Sequence, residues 1–160
     1  MKNLQPNSHQ CFVCGVDNDF GLQMKFYDTE PGEVTAEYEV PDRYQGYPGV
    51  VHGGIVAAML DEVAGRTHMG GNPPRFMYTA RLNIRYRKHV PSGKHLRIVG
   101  RAGKSRGRTA AATSVIYGPD GELLAEAEAL LVDVSSDFLQ SVDLEVLGWQ
   151  VYDEGERDLE

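Results

Sequence analysis

Three features of this sequence predict an α+β domain, an antiparallel sheet of about six strands packed on one long helix. The first is a single helical run from Gly53 to about His68, opened by a His-Gly-Gly turn and stopped at Gly70-Gly71-Asn72-Pro73-Pro74. The second is period-two alternation of apolar and polar residues on both sides of that run. The third is that the connections after the helix are hairpin-length, which suits antiparallel neighbours and is too short for parallel crossovers. At 160 residues, 41% hydrophobic and 24% charged, the chain has the size and composition of one soluble domain.

Each element follows in order. Residues 1–20 show no periodicity and read as an irregular segment. Leu22, Met24 and Phe26 alternate with Gln23, Lys25 and Tyr27, a half-buried strand. Glu30-Pro31-Gly32 turns into a second strand, where Val34, Ala36, Tyr38 and Val40 alternate with Glu33, Thr35, Glu37 and Glu39. Residues 41–52 are a loop. After the helix comes a long strand with Phe76, Tyr78, Ala80, Leu82, Ile84 and Tyr86 on one face. Met77, Thr79, Arg81, Asn83, Arg85 and Arg87 occupy the other. Strands near 95–103, 109–117 and 122–133 follow, joined by a turn from Lys104 to Arg108 and by Gly118-Pro119-Asp120-Gly121. The domain is therefore expected over 21–134. Residues 135–160, with Phe138, Leu139, Val142, Leu144, Val146, Leu147 and Trp149, are expected to dock as a strap whose acidic end frays.

Charge is unevenly distributed. The net charge is −7, yet no Asp or Glu occurs between Glu62 and Asp120, and ten of the sixteen Lys and Arg fall within residues 81–108. A basic block on an acidic chain points either to a local anionic ligand or to solvated outer strand faces paired with acids elsewhere. An acidic chain without a recognisable module argues against nucleic acid. No stretch approaches the ~20 apolar residues of a membrane span. Met1 to Gln10 is polar and shows no secretory signal, so a cytoplasmic protein is expected.

The chemistry concentrates in Val51-His52-Gly53-Gly54-Ile55-Val56-Ala57-Ala58-Met59-Leu60-Asp61-Glu62. A glycine at a helix start leaves backbone N–H groups open to an incoming oxygen. Two turns on, Asp61 has Ala57, Ala58, Ala64 and Gly65 three and four residues away, all small and none cationic. A carboxylate in such a collar has room above it for a ligand or a partner chain, and burying it is costly unless it has a task. Glu62 differs, because Arg66 four residues later makes it one half of a surface ion pair. His52 reads as a residue that shapes the turn, and His9, His68, His89 and His95 show no pairing pattern.

Three literal motif matches fail on context. Gly103-Lys104-Ser105-Arg106-Gly107 fits a nucleophile elbow, but it leads into a strand where the motif needs a helix. The same glycine, lysine and serine resemble the end of a phosphate loop, but Ile98 occupies the required earlier glycine position. Cys11-Phe12-Val13-Cys14-Gly15 has metal-knuckle spacing, yet a zinc site takes four ligands and no second cysteine pair exists. A reduced structural pair is the expectation there, with a metal half-site second.

With Asp61 nine residues after His52, the run Gly46-Tyr47-Pro48-Gly49-Val50-Val51-His52-Gly53-Gly54 resembles the hotdog-fold thioesterases of the phenylacetate-pathway type. The Cys11 to Gly15 start resembles one branch of them, and the likeness covers about residues 11–133. The resemblance implies hydrolysis of an acyl-coenzyme A thioester without a cofactor or metal. It implies Asp61 as general base or nucleophile and the Gly53 N–H as the group polarising the carbonyl. Thr79 stands where relatives carry an assisting hydroxyl supplied by the neighbouring subunit. Some relatives have an Asn six residues before the His; Gly46 is there in this chain, which leaves Gln45 or His52 to place the water. His89 replaces a common Pro. Because a thiol leaves with a pKa near ~8.5, thioester cleavage does not require His52 to titrate. Gly54 would line the substrate side of the turn. Arg85, Arg87 and Lys88, with Lys104, Arg106 and Arg108, would receive the coenzyme's phosphates. A homodimer or dimer of dimers with the site at its interface is expected. The rivals are an enoyl-thioester hydratase of the same fold and a non-enzymatic acyl-thioester binder.

Overall fold

The computed structural model describes residues 1–153; the acidic end of the expected strap, 154–160, lies outside them. Its elements are β1 (Asn3–Leu4), β2 (Tyr27–Glu30), β3 (Glu33–Glu39), α1 (Gly53–Arg66), β4 (Met77–Tyr86), β5 (His95–Arg106), β6 (Thr109–Tyr117), β7 (Leu123–Asp133), α2 (Ser136–Ser141) and α3 (Leu144–Leu147). The strands form one antiparallel sheet in the order β1-β2-β3-β5-β6-β7-β4, and α1 packs on it across β3 to β7. No helix among the described residues is long and apolar enough to cross a membrane.

The α1 face that meets the sheet carries Val56, Met59, Leu60, Val63 and Ala64, at the three- and four-residue spacing of one helical side. Opposite them lie Leu96, Ile98, Ile116, Leu131 and the alanines of β6 and β7. Small residues in the sheet let the helix approach closely. At Gly100 a Cβ would come within 2.5 Å of the Val63 carbonyl oxygen, so the helix rests directly on β5 there.

Four details differ from the sequence expectation. The sheet has seven strands rather than six, because part of the segment expected to be irregular forms β1 beside β2. Leu22, Met24 and Phe26 are buried as the alternation predicts, at 2%, 1% and 0% exposure, but they precede β2. Gln23 adopts a φ of 51°, which breaks the extended run. The Leu22 and Met24 N–H groups donate instead to the carbonyls of Phe12 and Val13. The helix stops at Arg66, two residues before His68. The turn expected over Lys104 to Arg108 contracts to Gly107 and Arg108, since a left-handed Gly107 (φ 58°) permits a two-residue hairpin; Lys104 and Arg106 therefore lie on β5.

Where α1 ends, one cation organises three segments. Arg66 is 1% exposed. Its guanidinium donates to Glu62 Oε1 at 2.8 Å, to the Pro6 carbonyl at 2.9 Å, and to Gln5 Oε1 and Asn7 Oδ1 at 3.3 and 3.4 Å. It lies 4.2 Å from the Phe26 ring centroid and 5.6 Å from that of Trp149, which itself packs edge-on against Phe76. The expected surface pair of Glu62 and Arg66 is thus a buried network that holds the amino-terminal segment and the strap to the helix. Removing one member of such a network leaves the others desolvated and unpaired. Arg66→Met should lower the unfolding free energy by about 3–5 kcal/mol, read as a fall in the urea midpoint; an unchanged midpoint would refute this assignment.

Candidate active site

The loop before α1 is clamped before the helix begins. The Val51 N–H donates to the Val90 carbonyl at 2.8 Å, and the His52 N–H to the Tyr44 carbonyl at 3.0 Å. His52 is the N-cap: its Nδ1 accepts from the Gly54 N–H at 2.9 Å. The neutral ring then carries its proton on Nε2. Ile55 and Val56 direct their N–H groups to the His52 carbonyl, at 2.9 and 3.1 Å. Three of the four first-turn donors are therefore occupied. Among the described residues the Gly53 N–H alone in that turn has no acceptor, and it sits at the positive end of the helix dipole. Tyr86 Oη donates to the Gly53 carbonyl at 2.8 Å and fixes this peptide against the end of β4.

Asp61 lies two turns on, half-buried. Thr79 Oγ1 donates to its Oδ1 at 2.6 Å, from β4 of the same chain. The resemblance implied a hydroxyl from a neighbouring subunit; in this structure the chain supplies its own. Strict alternation put Thr79 on the opposite face from Leu82. A bulge resolves that, because Thr79 pairs with Leu131 and Arg81 with Leu130, leaving Ala80 as the extra residue. Met77 and Thr79 thereby join Leu82, Ile84 and Tyr86 on the helix side. Burial pushes the Asp61 carboxyl above the ordinary carboxylate range; the Thr79 hydrogen bond pulls it back down, and the Glu62 charge adds to the rise.

Gly53 and Asp61 do not meet within one chain. They stand eight helical steps apart, about 12 Å of rise along the axis. Beside Gly53 opens a groove of about 460 Å³, lined by His52, Gly53, Val56, Tyr86, Arg87 and Lys88 among others. Gln45 is exposed on the loop and bridges to Val51, next to His52.

The expected phosphate-binding cations do not gather. Arg85 lies on the outer sheet face, in a hollow with Asn83, Thr113, Glu126 and Glu128. Arg87 and Lys88 reach the groove at the Gly53 end, and Arg87 is paired with Glu126 at 2.6 Å. Lys104, Arg106 and Arg108 stand at the other end of the sheet, beyond the carboxy-terminal end of α1, where β6 begins beside the end of β7. Within the basic block Arg87 and Arg101 pair with acids, as the solvated-face reading expects, whereas Lys88, Lys104, Arg106 and Arg108 have no ion-pair partner among the described residues.

Two features escaped sequence reasoning. Tyr86 looked like one more inward strand residue, and nothing marked its hydroxyl as the anchor of Gly53. Cys11, Cys14 and Glu62 come together although 47 residues lie between the second cysteine and the glutamate, and only the fold reveals it.

Comparison with known proteins agrees with this fold. Residues 48–125 match the family model of the thioesterase superfamily. The chain is 28% identical over 138 residues to the acyl-coenzyme A thioesterase THEM4 of Rattus norvegicus, covering 85% of this chain and 59% of that protein. It thus spans less than two thirds of the curated relative's length. A crystal structure of a thioesterase superfamily protein superposes with a TM-score of 0.72 at 30% identity, covering 79% of this chain and 61% of that one. A Streptococcus mutans protein, solved bound to acetyl CoA, superposes with a TM-score of 0.63 at 22% identity, covering 70% and 89%, a likeness of fold. The sheet with its packed helix is the hotdog fold.

The Asp61 environment has a pH consequence. In the unfolded chain Asp61 titrates near ~3.9, so its raised folded value means the native state holds the proton more tightly. Stability from this group falls as pH climbs from the unfolded to the folded value, and above that window the ionised Asp61 is a cost. Asp61→Asn should therefore be more stable than wild type to urea at neutral pH, with the gap closing below pH ~4. A variant less stable at neutral pH contradicts the burial reading.

Proposed function

We propose that this chain, whose residues 48–125 match the family model of the thioesterase superfamily, hydrolyses acyl-coenzyme A thioesters to a free acid and the thiol. The observation that carries the reading is the unoccupied Gly53 N–H at the start of α1, on the same helix as a half-buried carboxylate. Such a donor is worth most where negative charge develops, on the carbonyl oxygen of a tetrahedral intermediate. Asp61 takes a proton from water, the water oxygen attacks the thioester carbon, and the C–S bond breaks with the thiolate leaving. A thiolate needs no proton to depart at neutral pH, which fits a His52 whose Nδ1 is committed to the Gly54 N–H. Direct attack by the Asp61 carboxylate uses the same geometry.

The separation of Gly53 from Asp61 along α1 supports a site shared between two copies. Among the described residues β4 is the edge of the sheet and pairs only with β7. An open ten-residue edge is a template for another strand. Antiparallel pairing of two β4 edges about a twofold axis near mid-strand sets the Thr79–Asp61 end of one copy beside the Tyr86–Gly53 end of the other. The same pairing carries the partner's Lys104 to Arg108 hairpin toward this copy's Lys88. A dimer, or a dimer of such dimers, follows. A cytoplasmic setting, where Cys11 and Cys14 stay reduced, fits this reading.

Three measurements test it. Release of thiol from a panel of acyl-CoA substrates, followed with a thiol-trapping dye, separates a hydrolase from a binder, which would retain the thioester intact. Asp61→Asn and Gly53→Pro should each fold and lose at least ~100-fold in turnover, the scale of removing a positioned base or an oxyanion donor. Proline suits the first helical position and removes only the N–H. The extended His52 before it (ψ 136°) and the Tyr86 ring 3.6–3.7 Å from a new Cβ both tolerate it. Turnover near wild type in either variant would remove that residue from the mechanism. Thr79→Val, which deletes the bond that lowers the Asp61 value, should move the acid limb of kcat/KM to higher pH; an unmoved limb rules out Asp61 as the titrating base.

The cations are tested by Lys88→Gln combined with Gln at 104, 106 and 108. This variant should raise KM for acyl-CoA more than ~10-fold, since single exposed pairs contribute too little to read alone. It should leave cleavage of a short thioester without the nucleotide unchanged. An unchanged KM for acyl-CoA assigns these cations to a solvated face.

A further inference from the structure

The fold brings Cys11 and Cys14 against Glu62, and their ligand atoms all lie within 4.8 Å of one another. We propose that Cys11, Cys14 and Glu62 bind one zinc ion in the reduced protein, tying the amino-terminal segment to α1.

Four observations carry this. The first is local geometry: the Cys14 N–H donates to Cys11 Sγ at 3.4 Å, so the loop already presents a backbone dipole to a sulfur that bears negative charge when it ligates. Gly15 follows, and a Cβ there would lie 2.4 Å from the Cys11 carbonyl oxygen, so only glycine lets the loop fold back this tightly. The second is distance. Cys11 Sγ and Glu62 Oε2 are 3.8 Å apart. Tetrahedral zinc, with its usual Zn–S and Zn–O lengths, separates a sulfur and an oxygen ligand by about 3.6 Å. The pair therefore stands where ligands stand, and it is long for a strong hydrogen bond.

The third is the division of labour at Glu62. Its Oε1 takes the Arg66 guanidinium at 2.8 Å, leaving Oε2 toward the cysteines. A ligating carboxylate held by a second partner is the usual outer-shell arrangement of a metal site. The fourth is charge. Two thiolates and a carboxylate around a divalent cation leave one negative charge, which the buried Arg66 neutralises. Thiolate donors select zinc over the hard divalent cations. A water would complete the fourth position, held by Ser8 Oγ, which is buried and 3.7 Å from Cys14 Sγ. Binding releases the two thiol protons, so affinity rises with pH.

The site is separate from the proposed hydrolytic groups: Glu62 leaves α1 on a different side from Asp61, and the test reads metal rather than turnover. The reduced 160-residue chain, stripped with a chelator, is titrated with Zn²⁺ against a chromophoric indicator. One zinc per chain is expected. Co²⁺ in its place should give the near-ultraviolet thiolate-to-cobalt band and the visible bands of a tetrahedral site. Zn²⁺ should also raise the melting temperature and shield both thiols from alkylation. Cys11→Ser and Cys14→Ser should each weaken Zn²⁺ binding at least ~100-fold, and Glu62→Gln ~10-fold or more, within the range seen when metal-site groups are altered. If the serine variants fail to fold, the cobalt spectrum and thiol protection of the wild-type chain decide. No zinc uptake by the reduced wild-type chain at micromolar metal, or a cobalt spectrum without thiolate bands, overturns the proposal.

Discussion

The guanidinium of Arg66 sets the orientation on which the remaining geometry depends. It is a buried charge, and a buried charge persists only when it is paired and its donors are satisfied. Here the partners come from the helix itself, from residues 5–7 of the amino-terminal segment, and from the rings of Phe26 and Trp149. That set pins the rotation of α1 about its axis. With Glu62 and Arg66 facing the amino-terminal segment, Asp61, a hundred degrees around, faces β4 and meets Thr79. The cation also sits in the last turn of α1, where the helix dipole favours positive charge.

From that orientation comes the constraint that shapes the chemistry. The Gly53 N–H, the one first-turn donor without an acceptor among the described residues, and the carboxylate of Asp61 are fixed on a rigid rod too far apart for one carbonyl group to touch both. Each is instead tied to one end of β4, Gly53 through Tyr86 and Asp61 through Thr79. The bulge at Ala80 makes this possible. Without it Thr79 would point to the outer face and Asp61 would have no hydroxyl donor. A strand that holds the two halves of the proposed site at its two ends, with its outer edge unpaired among the described residues, is suited to complete that site by pairing with its own copy.

The fold class, the helix start and the buried faces of β3 and β5 to β7 were legible because periodicity and turn chemistry report them directly. Asp61 stood out for a similar reason: an acid among small residues conflicts with an otherwise apolar helix. What the sequence hid depends on contacts distant along the chain or on single backbone irregularities. Gln23 interrupts a clean alternation, Ala80 inverts another, and neither residue type announces it. Glu62 and Arg66 fitted the spacing of an exposed ion pair, and nothing local revealed that residues 5–7 would bury it. The basic block looked like one patch because its members are close in sequence. Antiparallel strands instead carry Lys88 and the 104–108 hairpin to opposite ends of the sheet.

The central claim, that one site draws Gly53 from one copy and Asp61 from another, is tested most directly by complementation. Two inactive proteins, Asp61→Asn and Gly53→Pro, are unfolded together and refolded as a mixture. In a mixed dimer one shared site carries both lesions and the other carries neither. Random pairing should then restore about a quarter of wild-type turnover, as expected for a symmetric two-chain site. Activity that stays at the sum of the two parent variants, in a mixture shown to contain mixed dimers, would contradict the account.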